Sequence, residues 1–126
     1  MRIAVLSDVH GNLVALEAVL RDAARRNVEE VLHLGDLVGY GPRPEEVVAR
    51  AETEGLPGVV GNYNLAVCHP DVEEGLARYL KASISDAGRR TYLWTREHVG
   101  AEARSFLHGL PAQLRVQEGD RVFLFT

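Results

Sequence analysis

Three short apolar runs punctuate the first half of the chain, each stopped by a polar or glycine-containing loop. Residues 2–6 stop at Ser7-Asp8, and from Leu13 the apolar positions Leu13, Leu16, Val19, Leu20, Ala23 and Ala24 fall at helical spacing, which predicts strand, loop, helix. A second run, Val31 to Leu34, stops at Gly35-Asp36; after the loop GYGPRP, Pro44-Glu45-Glu46 opens a helical stretch that ends near Gly55. The third run, Val59-Val60, stops at Gly61-Asn62. Repeated strand-to-helix alternation of this kind predicts a parallel sheet with right-handed crossovers.

The second half changes character. The pattern predicts helices over 71–82, 85–98 and about 101–108, the last closed by Gly109 and Pro111. Strands over 112–118 and 120–126 follow, joined by a tight turn at Glu118-Gly119-Asp120. No repeat, low-complexity segment or linker interrupts the 126 residues, so a single domain is expected.

Composition narrows the classes of function. A hydrophobic fraction of 46% with 25% charged residues belongs to a globular protein and excludes disorder. The net charge of −4 gives no general pull toward nucleic acid or anionic lipid, so a phosphate-bearing substrate would need a local positive centre. No apolar run approaches the roughly 20 residues that span a bilayer, and the opening MRIAVLSD turns polar too soon for a secretory signal. Cys68 is the only cysteine, which rules out an intrachain disulfide and suits a cytoplasmic setting.

The candidate chemistry lies just past the carboxyl ends of the predicted strands, at Asp8, His10, Asp36 and Asn62. Loops converge on that edge of an open α/β sheet, and ligands bind there. Read as an extended tripeptide, Asp8-Val9-His10 turns residues 8 and 10 to one side, so that carboxylate and imidazole can share an ion. Gly11 then allows a tight bend, with Asn12 as the helix N-cap. Asp36 has two oxygens that can bridge cations about 4 Å apart, and Asn62 offers a neutral amide oxygen. Two divalent ions against two carboxylates leave a local charge of about +2, the positive centre the chain otherwise lacks. Gly61-Asn62 also has a plainer reading as a turn, since both residues tolerate positive φ.

SDVHGN at 7–12, GDLVGYGP at 35–42 and GN at 61–62 resemble, in order and at strand ends, the first three motifs of the calcineurin-like metallophosphoesterases: D-x-H, G-D, then G-N-H followed by an acid. The resemblance implies an α/β fold, the four-layer αββα sandwich, of which this chain would hold the first parallel βαβαβ sheet and the start of the second. It further implies a dinuclear site filled by manganese, iron or zinc, and hydrolysis of phosphate mono- or diesters by a metal-bound hydroxide. By similarity Asp8 and His10 hold one metal, Asp36 bridges, and Asn62 holds the other.

The pattern departs from the family in two places. Tyr63 and Asn64 stand where the family has a catalytic histidine and the acid that orients it. This leaves Tyr63 as the candidate proton donor, although a phenol with an ordinary pKa near 10 is a weaker acid than imidazolium. General acid catalysis contributes roughly 100- to 10,000-fold, so the exchange bears on rate rather than on metal binding. Family members also continue into later histidine ligands, including a Gly-His-x-His motif, that residues 1–126 do not contain. One ion or none is therefore expected on this chain alone, and the apolar strand VFLFT forms an open edge through which copies could associate. The alternative function is a non-catalytic scaffold of the same fold for protein interaction.

Other polar residues have plainer readings. His33 reads as a strand residue, His69 as a loop residue, and His98 and His108 as helix-end residues. Arg43, Arg89 and Arg90 read as solvated charge and Cys68 as a small buried side chain. Tyr40 and Tyr63 are read either as loop and core residues or as aromatic platforms for a nucleobase.

Overall fold

The computed structural model describes residues 1–80 and 84–126. Strand β1 (Ile3–Leu6) pairs in parallel with β2 (Glu30–His33), from Ile3 opposite Glu30 to Leu6 opposite His33. Helix α1 (Leu13–Arg25) makes the crossover, and Asn12 caps it as predicted, its side chain accepting from the Ala15 N–H at 3.0 Å.

The third predicted strand shrinks to a single parallel bridge between His33 and Gly58. The His33 N–H donates to the Pro57 carbonyl at 3.0 Å and the Val59 N–H to the His33 carbonyl at 3.1 Å, but the Val60 N–H turns away to the Pro111 carbonyl at 2.9 Å. Two valines between a proline with no N–H and a helix start are too few for a ladder.

Helix α2 (Pro44–Thr53) opens with proline in its first turn, as the sequence indicates. The next helix, α3 (Asn62–Cys68), follows the third run, where the sequence pattern sets no helix bounds. Seven residues are too few to display a 3.6-residue period, and no side chain of α3's own N-cap residue closes its start. Tertiary contacts hold it instead. Tyr63, Asn64, Ala66 and Val67 are buried, and two arginines cover the carbonyls at its C-terminal end. Arg96 Nη1 donates to the carbonyls of Ala66, Val67 and His69 at 3.0, 3.1 and 2.7 Å, and Arg104 donates to that of Val67. Cations at that end also oppose the helix dipole favourably.

Helices α4 (Val72–Tyr79), α5 (Asp86–Glu97) and α6 (Ala101–Gly109) match the predicted ones to within a few residues; residues 81 and 82 of the predicted 71–82 helix lie outside the described residues. α3 packs against α4, α5 and α6, and α2 against α1 and α6. The core that results joins Leu37, Val38, Val47, Val67, Tyr92 and Leu107.

Strands β3 (Leu114–Glu118) and β4 (Arg121–Phe125) form a separate antiparallel hairpin. Glu118 pairs with Arg121, so the turn is the two residues Gly119-Asp120, with Gly119 at φ +57°. A glycine at positive φ in the first turn position matches the right-handed twist of the flanking strands. The apolar side chains of Val122, Phe123 and Leu124 on β4 are exposed. Among the described residues no helix is long and apolar enough to cross a membrane. The result is a mixed α/β chain with a first parallel sheet and the start of a second.

Candidate metal centre

The loops that leave β1 and β2 are laced together by their backbones. The His10 N–H donates to the Asp36 carbonyl at 2.9 Å and the Gly11 N–H to the Leu37 carbonyl at 2.8 Å; in return the Gly41 N–H donates to the His10 carbonyl at 2.8 Å and the Arg43 N–H to the Gly11 carbonyl at 3.1 Å. This lacing gathers Asp8, His10 and Asp36, each of which offers a ligand atom within 4.8 Å of the others.

The route to that meeting differs from the extended tripeptide expected. Asp8 and His10 have φ of 57° and 48°, in the left-handed region, and Asp36 has φ 50°. Non-glycine residues pay in steric strain for such values, and here three of them share one site. The side chains nevertheless meet, with His10 Nε2 3.3 Å from Asp8 Oδ1. His10 Nδ1 lies 2.8 Å from the Val38 carbonyl. A carbonyl only accepts, so Nδ1 carries the hydrogen, and in the neutral ring the lone pair of Nε2 is left for a cation. Two carboxylates and an imidazole so oriented fit a divalent first-row ion.

Asp36 is held from α3. The Tyr63 N–H donates to Asp36 Oδ1 at 2.8 Å, giving α3 the carboxylate cap that its own N-cap residue, Gly61, cannot supply. Burial raises the Asp36 pKa from its ordinary value; the Tyr63 N–H and the nearby His10 act against that rise, and the Asp8 carboxylate adds to it. Gly61 itself has φ −94°, so the positive-φ turn reading does not apply to it. Glycine is needed there because a Cβ would overlap the Asp36 carboxylate and backbone.

Asn62 is exposed at the start of α3, where its Nδ2 donates to the Tyr79 carbonyl at 3.1 Å. Tyr63 is buried, its ring centroid 5.5 Å from that of His10 and 5.0 Å from that of Tyr40. Its hydroxyl has no partner among the described residues, and burial pushes its pKa above the ordinary phenol value. Asn64 has a role that sequence reasoning missed. It is fully buried, and its Oδ1 accepts from the Leu37 N–H at 3.1 Å, which ties α3 to the Asp36 loop. The signal was its place at the motif position where the family has an acid.

His33, His69 and His98 are engaged in other contacts. His33 is completely buried, with Nδ1 accepting from the Gly35 N–H at 3.2 Å. His69 Nδ1 accepts from the Asp71 N–H at 3.1 Å, and His98 stacks on Trp94 with ring centroids 3.9 Å apart. Arg89 pairs with Glu73, and burial raises the Cys68 thiol's pKa.

Two carboxylates and an imidazole at the loop edge of a parallel sheet in an α/β chain form a candidate metal-binding group. A family model for the calcineurin-like phosphoesterase superfamily domain matches residues 1–125, and the chain belongs to that family. An uncharacterised protein of Methanocaldococcus jannaschii, MJ0912, is 37% identical over 109 residues, which are 86% of this chain and 42% of that protein. The crystal structure of a metallophosphoesterase from Sphaerobacter thermophilus is similar at 38% identity and a TM-score of 0.68, over 97% of this chain and 45% of that one. The hypothetical protein PH1004 from Pyrococcus horikoshii OT3 superposes with a TM-score of 0.81 at 26% identity, over 97% of this chain and 52% of its own. The chain thus spans about half the length of these relatives.

Proposed function

We propose that this chain carries the metal-holding half of a hydrolase acting on phosphate mono- or diesters. The observation that carries the reading is the Asp8, His10 and Asp36 group, with the His10 tautomer set by the Val38 carbonyl. In this reading Asp8 and His10 would hold one divalent ion, Asp36 would be shared with a second, and the Asn62 amide oxygen would serve that second ion. Manganese, iron and zinc are the candidate metals. Such ions, when bound, supply a nucleophilic water at neutral pH and neutralise charge on the phosphoryl oxygens.

The chain's own residues do the positioning. His10 is fixed through Nδ1, Asp36 through the Tyr63 N–H, and Asn62 through its bond to Tyr79, which engages Nδ2 and leaves the amide oxygen as the atom to face a cation. The enclosed Tyr63 hydroxyl is a poorer acid than a solvated phenol, so the contribution of Tyr63 is to orient Asp36 rather than to protonate a leaving group. The single cysteine, buried Cys68, suits a reducing cytoplasm. Association of copies along the exposed apolar strand β4 belongs to the same reading; a single monomeric species in sedimentation at high concentration removes it.

The test is manganese-dependent hydrolysis of a chromogenic phosphodiester, run with Asp36→Asn and paired with calorimetric titration of manganese. Hydrolysis that survives Asp36→Asn unchanged overturns the mechanism. Manganese binding without turnover favours the non-catalytic scaffold, for which the enclosed Tyr63 hydroxyl and Asn64 at the acid position speak.

A further inference from the structure

Tyr40 packs against Tyr63, with ring centroids 5.0 Å apart, yet remains largely exposed. It sits between Gly39 and Gly41 with φ +57°, a value that a tyrosine adopts only under strain. The residue is 62% exposed, so its contacts bury only part of its apolar surface against that strain, and glycine would serve the turn better. The ring stands edge-on to the candidate ligand His10, with centroids 4.9 Å apart.

On one side the ring walls a cleft of about 510 Å3 that runs from His10 and Asn62 to Tyr79, Leu80 and Ile84. On the other it borders an open groove beside Pro42 and Trp94. The cleft lies within the size range of small-molecule sites, about 300–1,000 Å3. Its metal end suits a phosphoryl group. Beyond that end the described lining is aromatic and aliphatic, with Tyr40, Tyr63 and Tyr79 beside Leu80 and Ile84. Such a wall suits a flat apolar group.

We infer that Tyr40 selects the organic group of the phosphate ester, its exposed ring stacking on an aryl or heteroaryl group seated in the cleft beside the metal group. The inference rests on the phosphoesterase reading. It makes Tyr40 a specificity residue for aromatic over alkyl esters.

Two stable analogues test it, phenylphosphonate and methylphosphonate, titrated calorimetrically against the manganese-loaded chain. The expected preference for phenylphosphonate is about tenfold, the order of effect that stacking on an aromatic side chain produces. Tyr40→Gly suits the left-handed backbone and so keeps the fold; it is expected to bring the ratio to about one, whereas Tyr40→Phe keeps it near ten. A wild-type ratio near one, or a preference that survives Tyr40→Gly, overturns the inference while methylphosphonate binding upholds the phosphoesterase reading. Failure of both phosphonates to bind overturns the two together.

Discussion

The backbone N–H of Tyr63 donates to Asp36 Oδ1 at 2.8 Å, so the carboxylate proposed to bridge two ions also caps the helix that presents Asn62. Metal site and helix placement are therefore one structural problem. Gly61 lies between them, with no room for a Cβ beside Asp36. Gly61→Ala is expected to destabilise the chain by about 1–3 kcal/mol, the usual range for overpacking, and to weaken manganese binding in parallel. Urea unfolding and calorimetry on the same sample check both.

Asp36→Asn and Asp36→Ala should separate the two roles of this side chain. Asparagine keeps an acceptor for the Tyr63 N–H and removes a carboxylate that burial already disfavours. Asp36→Asn is thus expected to leave the metal-free protein within about 1 kcal/mol of wild type, while Asp36→Ala costs about 1 kcal/mol more through the lost cap. Both should abolish the manganese-induced rise in melting temperature, which distinguishes metal binding from folding.

Manganese at a hundred times its dissociation constant should stabilise the wild type by about 2.7 kcal/mol if it binds only the folded chain. His10→Ala is expected to remove most of that gain, and a chelator should reverse it in the wild type. Thermal unfolding with and without metal reads the difference.

Asn64 anchors the Asp36 loop through Leu37. Asn64→Ala leaves the Leu37 N–H buried without its acceptor, at an expected cost of about 1–3 kcal/mol. Asn64→Asp retains the acceptor but adds charge near Asp36. Equilibrium unfolding should show whether the alanine variant loses stability without a change in denaturant slope.

Burial lowers the His33 pKa from 6.5 to about 4, so the folded chain holds this ring neutral where the unfolded chain would protonate it. Between those two values the unfolded state binds more protons, and stability falls as the pH drops from about 6.5 to about 4. The loss from this one residue is about 3 kcal/mol. Asp36, with its raised pKa, contributes in the opposite sense, so the measurement is the difference between wild type and His33→Gln across that window. A slope unchanged by the substitution would exclude His33 as the source.

Local patterns determined much of this protein. The runs at 2–6 and 31–34, the helical spacing from Leu13, Pro44 in a first helical turn and Asn12 as a cap all express short-range chemistry, and each appears in the fold. The places of Asp8, His10 and Asp36 at the loop edge were legible for the same reason, because strand ends can be read from where an apolar run stops.

Tertiary structure decided the rest. Val59-Val60 became a bridge and not a strand because Val60 found its partner at Pro111, more than fifty residues away in a segment that no local window contains. Residues 62–68 became a helix through a cap from Asp36 and two arginines from α5 and α6. The left-handed backbones of Asp8 and His10 follow from lacing between two loops, which no tripeptide rule can see. Gly61-Asn62 thus marked a candidate site in the sequence, but only the packing of Asp36 against it shows why the glycine has to be there.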